Sequence, residues 1–465
     1  MSDGARSRRA VIAAVAIVAA TYLYFLLFAE FALLRLVPPG WPLRAVMVAL
    51  GVGGVCGSVA AARAFFRPRL RSSLAAGFLV AAVGAQLALM ARSGQVLLLG
   101  AWLAGLGLGW LTVTLASGLR ALLGNEHLGL ACGLGTGLAY AACNVPRVFA
   151  AAPRAQTWIA LAVVLTGAAL TPWLEARPER REPEGDFRRG PAGAWIAVLL
   201  ALVWLDSAAF FIIQQTPALK AAAWAGAWTL EGNALMHFGT AVVAGLALDR
   251  GRRMELPVLA GALLVGACLG LEGRGAVWAP LLYTAGVSLY STVLIYYPAR
   301  GGRPGLTAAV YVVAGWGGSA LGIGMAQDLQ RIPAWFLALA AAVIFAAWVG
   351  RRRLLLGGLA ALAVASPRLR ADDNAMIRLG REVYLAEGCI HCHSQYVRPG
   401  VAADVARWGP SRPGEISTAG EPPLLGNRRV GPDLTNVGNR RSAEWLRLHQ
   451  RHPRLLAPGS RMPGY

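Results

Sequence analysis

Apolar residues run in long, almost uncharged blocks from residue 10 to residue 350, and short stretches rich in Arg, Pro and Gly separate the blocks. A helix rises about 1.5 Å per residue and the hydrocarbon core of a bilayer is about 30 Å thick, so roughly 20 apolar residues make one crossing. Twelve blocks are read on that basis as membrane-crossing helices: 10–36, 45–64, 74–92, 97–120, 128–150, 156–174, 193–213, 227–248, 256–271, 277–297, 306–326 and 334–350. The ninth is short. After residue 366 the pattern ends, and residues 367–465 are polar and rich in Arg, Pro and Gly.

Charge adds an orientation. Only 14% of residues are charged, against about 25% in soluble proteins. The net charge of +21 sits largely in alternate short loops, the pattern of cytoplasmic loops in a membrane protein rather than of a nucleic-acid surface. With the N-terminus inside, Arg67–Arg71, Arg177–Arg189, Asp249–Arg253, Arg300–Arg303 and Arg351–Arg353 are inside, and Val37–Pro42, Arg92–Gln95 and Gln214–Ala223 are outside. Nucleic acid is excluded as a partner, and membrane lipid is expected. All basic residues but Lys220 are arginine, a bias read as genome composition rather than function.

The longest hydrophilic loop, residues 176–190, divides the spans six and six. Gly245–Arg253, "GLALDRGRR", resembles the loop motif Gly-x-x-x-Asp-Arg-x-Gly-Arg-Arg of the major facilitator superfamily, one residue short. Residues 1–350 therefore resemble that superfamily's transporters, although the matching loop after the second span, from Gly57, lacks the acidic residue. After Arg351–Arg353 comes an apolar run of a dozen residues ending in Ala363-Val364-Ala365, which reads as a bacterial signal peptide. At about 20 Å it falls short of a full crossing. As a short thirteenth span or as a cleaved signal near Ala365 it places the tail outside; an interfacial stub would leave it in the cytoplasm. Residues 351–373 are taken as this segment plus a linker, and 374–465 as one small domain.

The tail carries Cys389-Ile390-His391-Cys392-His393, two of the chain's six cysteines and two of its six histidines. Cys-x-x-Cys-His is the attachment motif of c-type haem. Two thiols on one helical turn can each add to a vinyl group of the same porphyrin, and the next residue offers its imidazole to the iron. A redox disulfide would be expected after a strand, and none is read here. A zinc site would want a second pair of cysteines, and none follows. One covalently attached haem c is expected, with His393 as the proximal iron ligand. Candidates for the sixth position are Met462, His449 and His452. The histidines lie in a predicted amphipathic helix, where surface histidines are common. Met462, 69 residues after His393 in an irregular stretch, suits the far side of a haem and would raise the potential.

Gly380–Pro399, Arg428–Arg454 and "MPGY" (Met462–Tyr465) closely resemble the mono-haem cytochrome c subunit, subunit II, of cbb3-type haem–copper oxidases. The resemblance implies haem attachment at Cys389 and Cys392, iron ligation by His393 and Met462, and a pocket wall formed by Gly431, Pro432, Asp433 and Leu434. It further implies catalytic and other cytochrome subunits of such an oxidase as partners. That family has a single anchor rather than twelve spans, and cytochromes usually continue past the axial methionine into a closing helix. Without that helix, either the Met462 loop is loose or a partner subunit covers it.

The expected fold class is thus all-α: a transmembrane bundle of twelve spans, or thirteen, followed by a small cytochrome c domain. Residues 1–350 hold only His127, near a loop, and His237, too few histidines for the oxidase's own haem–copper centre. Ionisable groups within spans are functional candidates: Glu30, Asp206, Glu231 and His237, with Arg147 nearby. Asp206 and Glu231 suggest a proton or cation pathway, with structural pairing as the alternative. Met236, His237 and Met325 could suit copper. The glycine runs from Gly105 and Gly129 are read as close helix packing, not nucleotide loops.

The main expectation is an electron-transfer subunit of a bacterial inner-membrane oxidase, multi-pass, with its haem domain in the periplasm. The alternative is a transporter, copper being one candidate cargo, with a redox-coupled or regulatory cytochrome tail. A third reading makes the bundle a degenerate anchor.

Overall fold

The computed structural model of the chain describes residues 3–38, 41–125, 127–175, 192–253, 255–272, 278–329, 332–349, 377–398, 400–408, 424, 430–434 and 437–464. The linker expected at 176–190 and the signal-like segment after Arg351 lie outside the described residues. The chain divides into two compact units, Met1–Leu356 and Gly357–Tyr465.

In the first unit, helices occupy all twelve apolar blocks. Eight are long and apolar enough to cross a membrane: Arg8–Leu36, Leu43–Ala64, Arg67–Met90, Gly94–Leu123, Pro153–Trp173, Ala192–Gln215, Ala279–Gly301 and Pro304–Gln327. Leu128–Cys143, Glu255–Leu271 and Ala334–Trp348 are apolar but shorter. Ala227–Asp249 has the length, but Glu231, Asn233 and His237 interrupt its apolar character. In chain order these are the first to twelfth spans. Prolines open several of them, where the missing N–H has no intrahelical partner to lose. The periodicity did not announce two features. One is a short helix, Pro217–Trp224, in the loop between the seventh and eighth spans. The other is a pair of π-helical segments, Phe25–Ala32 and Val310–Gly317, inside the first and eleventh spans.

The most extensive contacts join the second span to the fourth, the third to the fourth, and the fifth to the eighth. Glycines make them possible. A Cβ on Gly105 would stand 2.0 Å from the Leu50 carbonyl oxygen, and one on Gly133 would stand 2.2 Å from that of Ala241. Backbones meet where any side chain would intrude, which is the close packing expected of both glycine runs. The fifth–eighth contact is also tied by Asp249 of the "GLALDRGRR" loop. Its carboxylate accepts from the N–H groups of Gly129 (2.7 Å) and Leu130 (2.8 Å), otherwise unpaired donors at the start of the fifth span.

The second unit is built from short helices: residues 377–386, Cys389–Cys392, Ala402–Trp408, Val437–Arg440, Ala443–Arg451 and Pro453–Leu456, with no strand among the described residues. Among the described residues its buried side chains include Tyr384 and Val397 beside Ser394, Asp404, Asp433 and Ser442. A domain of this size needs a source of cohesion beyond apolar packing. Hydrogen bonds supply part of it: Arg398 holds Asp404 with two donors at 2.8 and 3.2 Å. Ser442 caps Ala443–Arg451 by accepting from the Trp445 N–H, confirming the amphipathic helix expected there.

Candidate haem site

Helix 377–386 ends at Gly388, whose φ of 69° turns the chain into the single turn Cys389–Cys392. Neither cysteine is in a disulfide; Cys392 is exposed and Cys389 partly so. His393 leaves the turn in an extended conformation (φ −120°, ψ 146°), and the Tyr384 hydroxyl donates to its carbonyl at 2.8 Å. The His393 Nδ1 lies 2.8 Å from the Pro432 carbonyl oxygen. A carbonyl can only accept, so Nδ1 carries the proton and Nε2 keeps a free lone pair, the tautomer a metal ligand requires.

Every member of the loop Gly431–Leu434 has a part in this. The Gly431 N–H donates to the Cys392 carbonyl (2.9 Å) and the Leu434 N–H to that of Ser394 (2.8 Å). Pro432 supplies the carbonyl that orients His393. Asp433, 1% exposed, accepts from the Ser394 hydroxyl (2.6 Å) and the Tyr396 N–H (3.0 Å). Gly431 lies flat against the imidazole: a Cβ there would stand 2.2 Å from the His393 Cε1. Only glycine lets the ring occupy that place.

Met462 is half-buried in an irregular segment, its N–H donating to the Ser460 hydroxyl at 3.2 Å. His452 is exposed, as expected. His449 departs from the expectation of a surface histidine. It is half-buried and stacks on Trp445 at 4.6 Å, while the Arg441 guanidinium covers Trp445 at 4.7 Å. Burial, then the neighbouring charges of His393 and Arg441, hold its pKa below the ordinary imidazole value. Its Nδ1 is buried without a hydrogen-bond partner among the described residues. A buried polar atom without a partner in the neighbourhood of His393, a ring cradle only glycine can form, a free Nε2 and two thiols on one turn together fit a haem. The zinc alternative gains nothing, since no group of three or more His, Cys, Asp or Glu converges among the described residues.

The bundle contains a second polar centre. Asp206 accepts from the hydroxyls of Tyr283 (2.7 Å) and Tyr290. His237 places Nδ1 2.6 Å from the Ser288 hydroxyl and stacks on Tyr140 at 4.6 Å. Tyr140 in turn meets the Ser291 hydroxyl at 3.0 Å, and Thr136 meets Thr292 at 3.1 Å. The last two contacts join the first six spans to the last six. Beside them lies a cavity of about 510 Å³, lined by Glu30, Phe31, Arg35, Gln214, Lys220 and Trp224 among others. Glu231 and Arg147 are exposed and line neither. The tyrosine and serine partners escaped the sequence reading, which weighed charged groups, histidines and methionines in the spans.

Residues 373–465 match the family described as "Cytochrome C oxidase, mono-heme subunit/FixO". No curated protein sequence matches the chain. Among solved structures, the bundle is similar to the major facilitator transporter FucP in the outward conformation, at 16% identity and a TM-score of 0.55, covering 73% of this chain and 97% of that one. The proton:xylose symporter XylE is similar at 12% identity and 0.52, covering 75% and 95%. The human organic anion transporter MFSD10 is similar at 14% and 0.50, covering 76% and 98%. At such identities the likeness establishes fold alone. The bundle has the major facilitator fold, and the tail matches the family model of a mono-haem oxidase subunit.

Proposed function

We propose that the chain is a membrane-bound c-type cytochrome that passes electrons within, or to, a haem–copper oxidase of the cbb3 type. The observation that carries this is the joining of His393 to the loop Gly431–Leu434, in the segment that matches the oxidase subunit family. Haem, when bound, supplies a one-electron couple. Cys389 and Cys392 would hold it covalently through their thiols, which lie on the single turn Cys389–Cys392. His393 offers Nε2 to the iron while the Nδ1–H bond to Pro432 fixes the ring and raises the basicity of Nε2. Met462 would offer its thioether as a second iron ligand, and Gly431–Leu434 would wall the His393 ring. The tail is periplasmic, because thioether attachment takes place outside the cytoplasm, and the spans lie in a bacterial inner membrane. Oxygen chemistry belongs to a partner: the single histidine well inside a span, His237, is engaged by Ser288.

Purification in mild detergent should bring down haem–copper oxidase subunits. Denaturing gels should then show haem stain near 48.8 kDa, or in a fragment of about a fifth of that size if the chain is cleaved near Ala365. Stain that persists after Cys389→Ser with Cys392→Ser would refute covalent attachment.

A second reading, transport through the bundle, is favoured by the charged cavity and by the hydroxyl contacts Tyr140–Ser291 and Thr136–Thr292 between its halves. Copper remains one candidate cargo. Solute uptake lost in Asp206→Asn and retained in the double-serine variant would support it.

A further inference from the structure

The cavity beside the polar centre holds opposite charges that do not meet. Glu30 lines it from the first span and Lys220 from the short helix Pro217–Trp224. Neither side chain forms an ion pair or a hydrogen bond among the described residues. The other cation in the wall, Arg35, reaches the Ala151 carbonyl at 3.4 Å. Between the charges the wall is aromatic: Phe31 meets Phe149 at 5.5 Å, and Phe149 meets Trp224 at 6.0 Å.

A half-buried carboxylate in such surroundings is costly unless something answers it. The identity of Lys220 adds a second, independent observation. It is the single lysine among 44 basic residues. Genome composition accounts for arginine at the other positions and leaves this one unexplained. An ammonium is a compact point charge, whereas a guanidinium is a broad planar fork, so the position calls for the smaller cation. An anionic solute would satisfy Lys220 and be repelled by Glu30; a cationic one would do the reverse. A solute carrying both charges satisfies both.

We propose that the bundle binds a zwitterionic solute of amino-acid type, its carboxylate at Lys220, its ammonium group at Glu30 and its apolar body against Phe31 and Trp224. The volume of about 510 Å³ lies within the range of roughly 300–1,000 Å³ typical of small-molecule sites. The inference deepens the transport reading, and rests on it.

The test uses the purified full chain in mild detergent, with thermal unfolding followed by intrinsic fluorescence. The probes are L-phenylalanine, L-phenylalaninamide and 3-phenylpropionate at equal concentration, then the other free amino acids. A zwitterion should protect, while the amide and the acid should not. Glu30→Gln and Lys220→Gln should each weaken protection about tenfold or more, about 1.4 kcal/mol, and Lys220→Arg should weaken it less than Lys220→Gln. The double exchange Glu30→Lys with Lys220→Glu should recover binding that either exchange alone abolishes, which separates recognition from misfolding. Protection by phenylpropionate or by the amide equal to that by phenylalanine would overturn the assignment. So would protection by no amino acid, or unchanged protection in both glutamine variants. Uptake into vesicles separates the two readings. A protecting amino acid that is not taken up leaves the site standing and removes transport; uptake of an uncharged solute without protection by any amino acid does the opposite.

Discussion

His393 in the tail and His237 in the bundle each bring Nδ1 to an oxygen, at 2.8 and 2.6 Å. The oxygens differ in kind. Pro432 offers a backbone carbonyl, which only accepts, so His393 has one tautomer. Ser288 offers a side-chain hydroxyl whose own proton goes to the Thr284 carbonyl at 3.0 Å, so it too accepts from Nδ1, but through a side chain rather than the backbone. Between the bundle's halves one contact is less determined: in Tyr140 with Ser291 either hydroxyl can be the donor. The two histidines are each held in one tautomer, and the contact left open to reversal is the one that joins the fifth span to the tenth. An electron carrier benefits from a ligand that does not reorganise. A transporter must break and remake contacts between its halves.

The sharpest test of the fixed side is the ligand opposite His393. Met462→Ala should change the iron from low-spin to high-spin or water-bound and lower the reduction potential, read by optical spectroscopy and redox titration. Met462→His should also lower the potential while keeping the iron low-spin. If the spectrum survives Met462→Ala but collapses in His449→Ala or His452→Ala, a histidine is the ligand, and the half-buried His449 is the first suspect.

Next in size is Gly431→Ala. The added Cβ would stand 2.2 Å from the His393 Cε1, so the ring or the loop must move. A destabilisation of about 1–3 kcal/mol is expected, with a disturbed low-spin spectrum. Urea unfolding followed by haem absorbance would measure it. An unchanged midpoint and spectrum would mean that the loop does not cradle the ring.

What could be read in advance follows chain separation. Cys389, Cys392 and His393 are contiguous, and their spacing states their chemistry. Pro432 lies 39 residues from His393, and only the family resemblance brought it to the site. Asp206 meets Tyr283 and Tyr290 across 77 and 84 residues, a distance no local pattern bridges. Glu231 shows the opposite failure. A charge in an apolar run carries the same sequence signal whether it faces a cavity or lies exposed, as Glu231 does. His449 was placed on the surface because helix amphipathicity sorts faces and not partners; its stack on Trp445 follows from the i, i+4 spacing. Span order was legible because loop charge and apolar length are both read along the chain. The helix Pro217–Trp224, which places Lys220 in the cavity wall, was too short for either rule.

One buried aspartate, Asp433, and one half-buried, Asp249, allow a comparison of the two units. Asp433 answers a hydroxyl and an N–H, while Asp249 answers two N–H groups at the start of the fifth span. Removing a carboxylate from a buried site leaves its donors unpaired at about 1–3 kcal/mol, whereas loss of a helix cap costs about 1 kcal/mol. Asp433→Ala should therefore destabilise the tail more than Asp249→Ala destabilises the bundle. Haem absorbance and intrinsic fluorescence during denaturation distinguish the two units. Equal losses would mean that the loop Gly431–Leu434 is held by other contacts.

The smallest effect expected is that of Tyr384→Phe, and its pH dependence identifies it. The hydroxyl donates to the His393 carbonyl at 2.8 Å, so its removal should cost about 0.5–1.5 kcal/mol near neutral pH. Burial first, then Cys389, Asp433 and Cys392, raise the Tyr384 pKa from 10.0 to about 12. A phenol whose pKa is higher folded than unfolded favours the fold in its neutral form. That contribution is whole below the unfolded value near 10 and is lost as pH climbs through about 12. Once haem is attached the two cysteines are thioethers and cannot ionise, so burial and Asp433 are the causes that remain. The loss, which starts at the same unfolded value, should then be complete at a lower pH in the haem-loaded chain than in chain prepared without haem. Urea midpoints at pH 7, 10, 11 and 12, compared with those of Tyr384→Phe, isolate the effect: the difference between the two proteins should shrink across the alkaline steps. A difference that stays constant to pH 12 would show that Tyr384 does not titrate there, and that the bond to His393 is not what its burial protects.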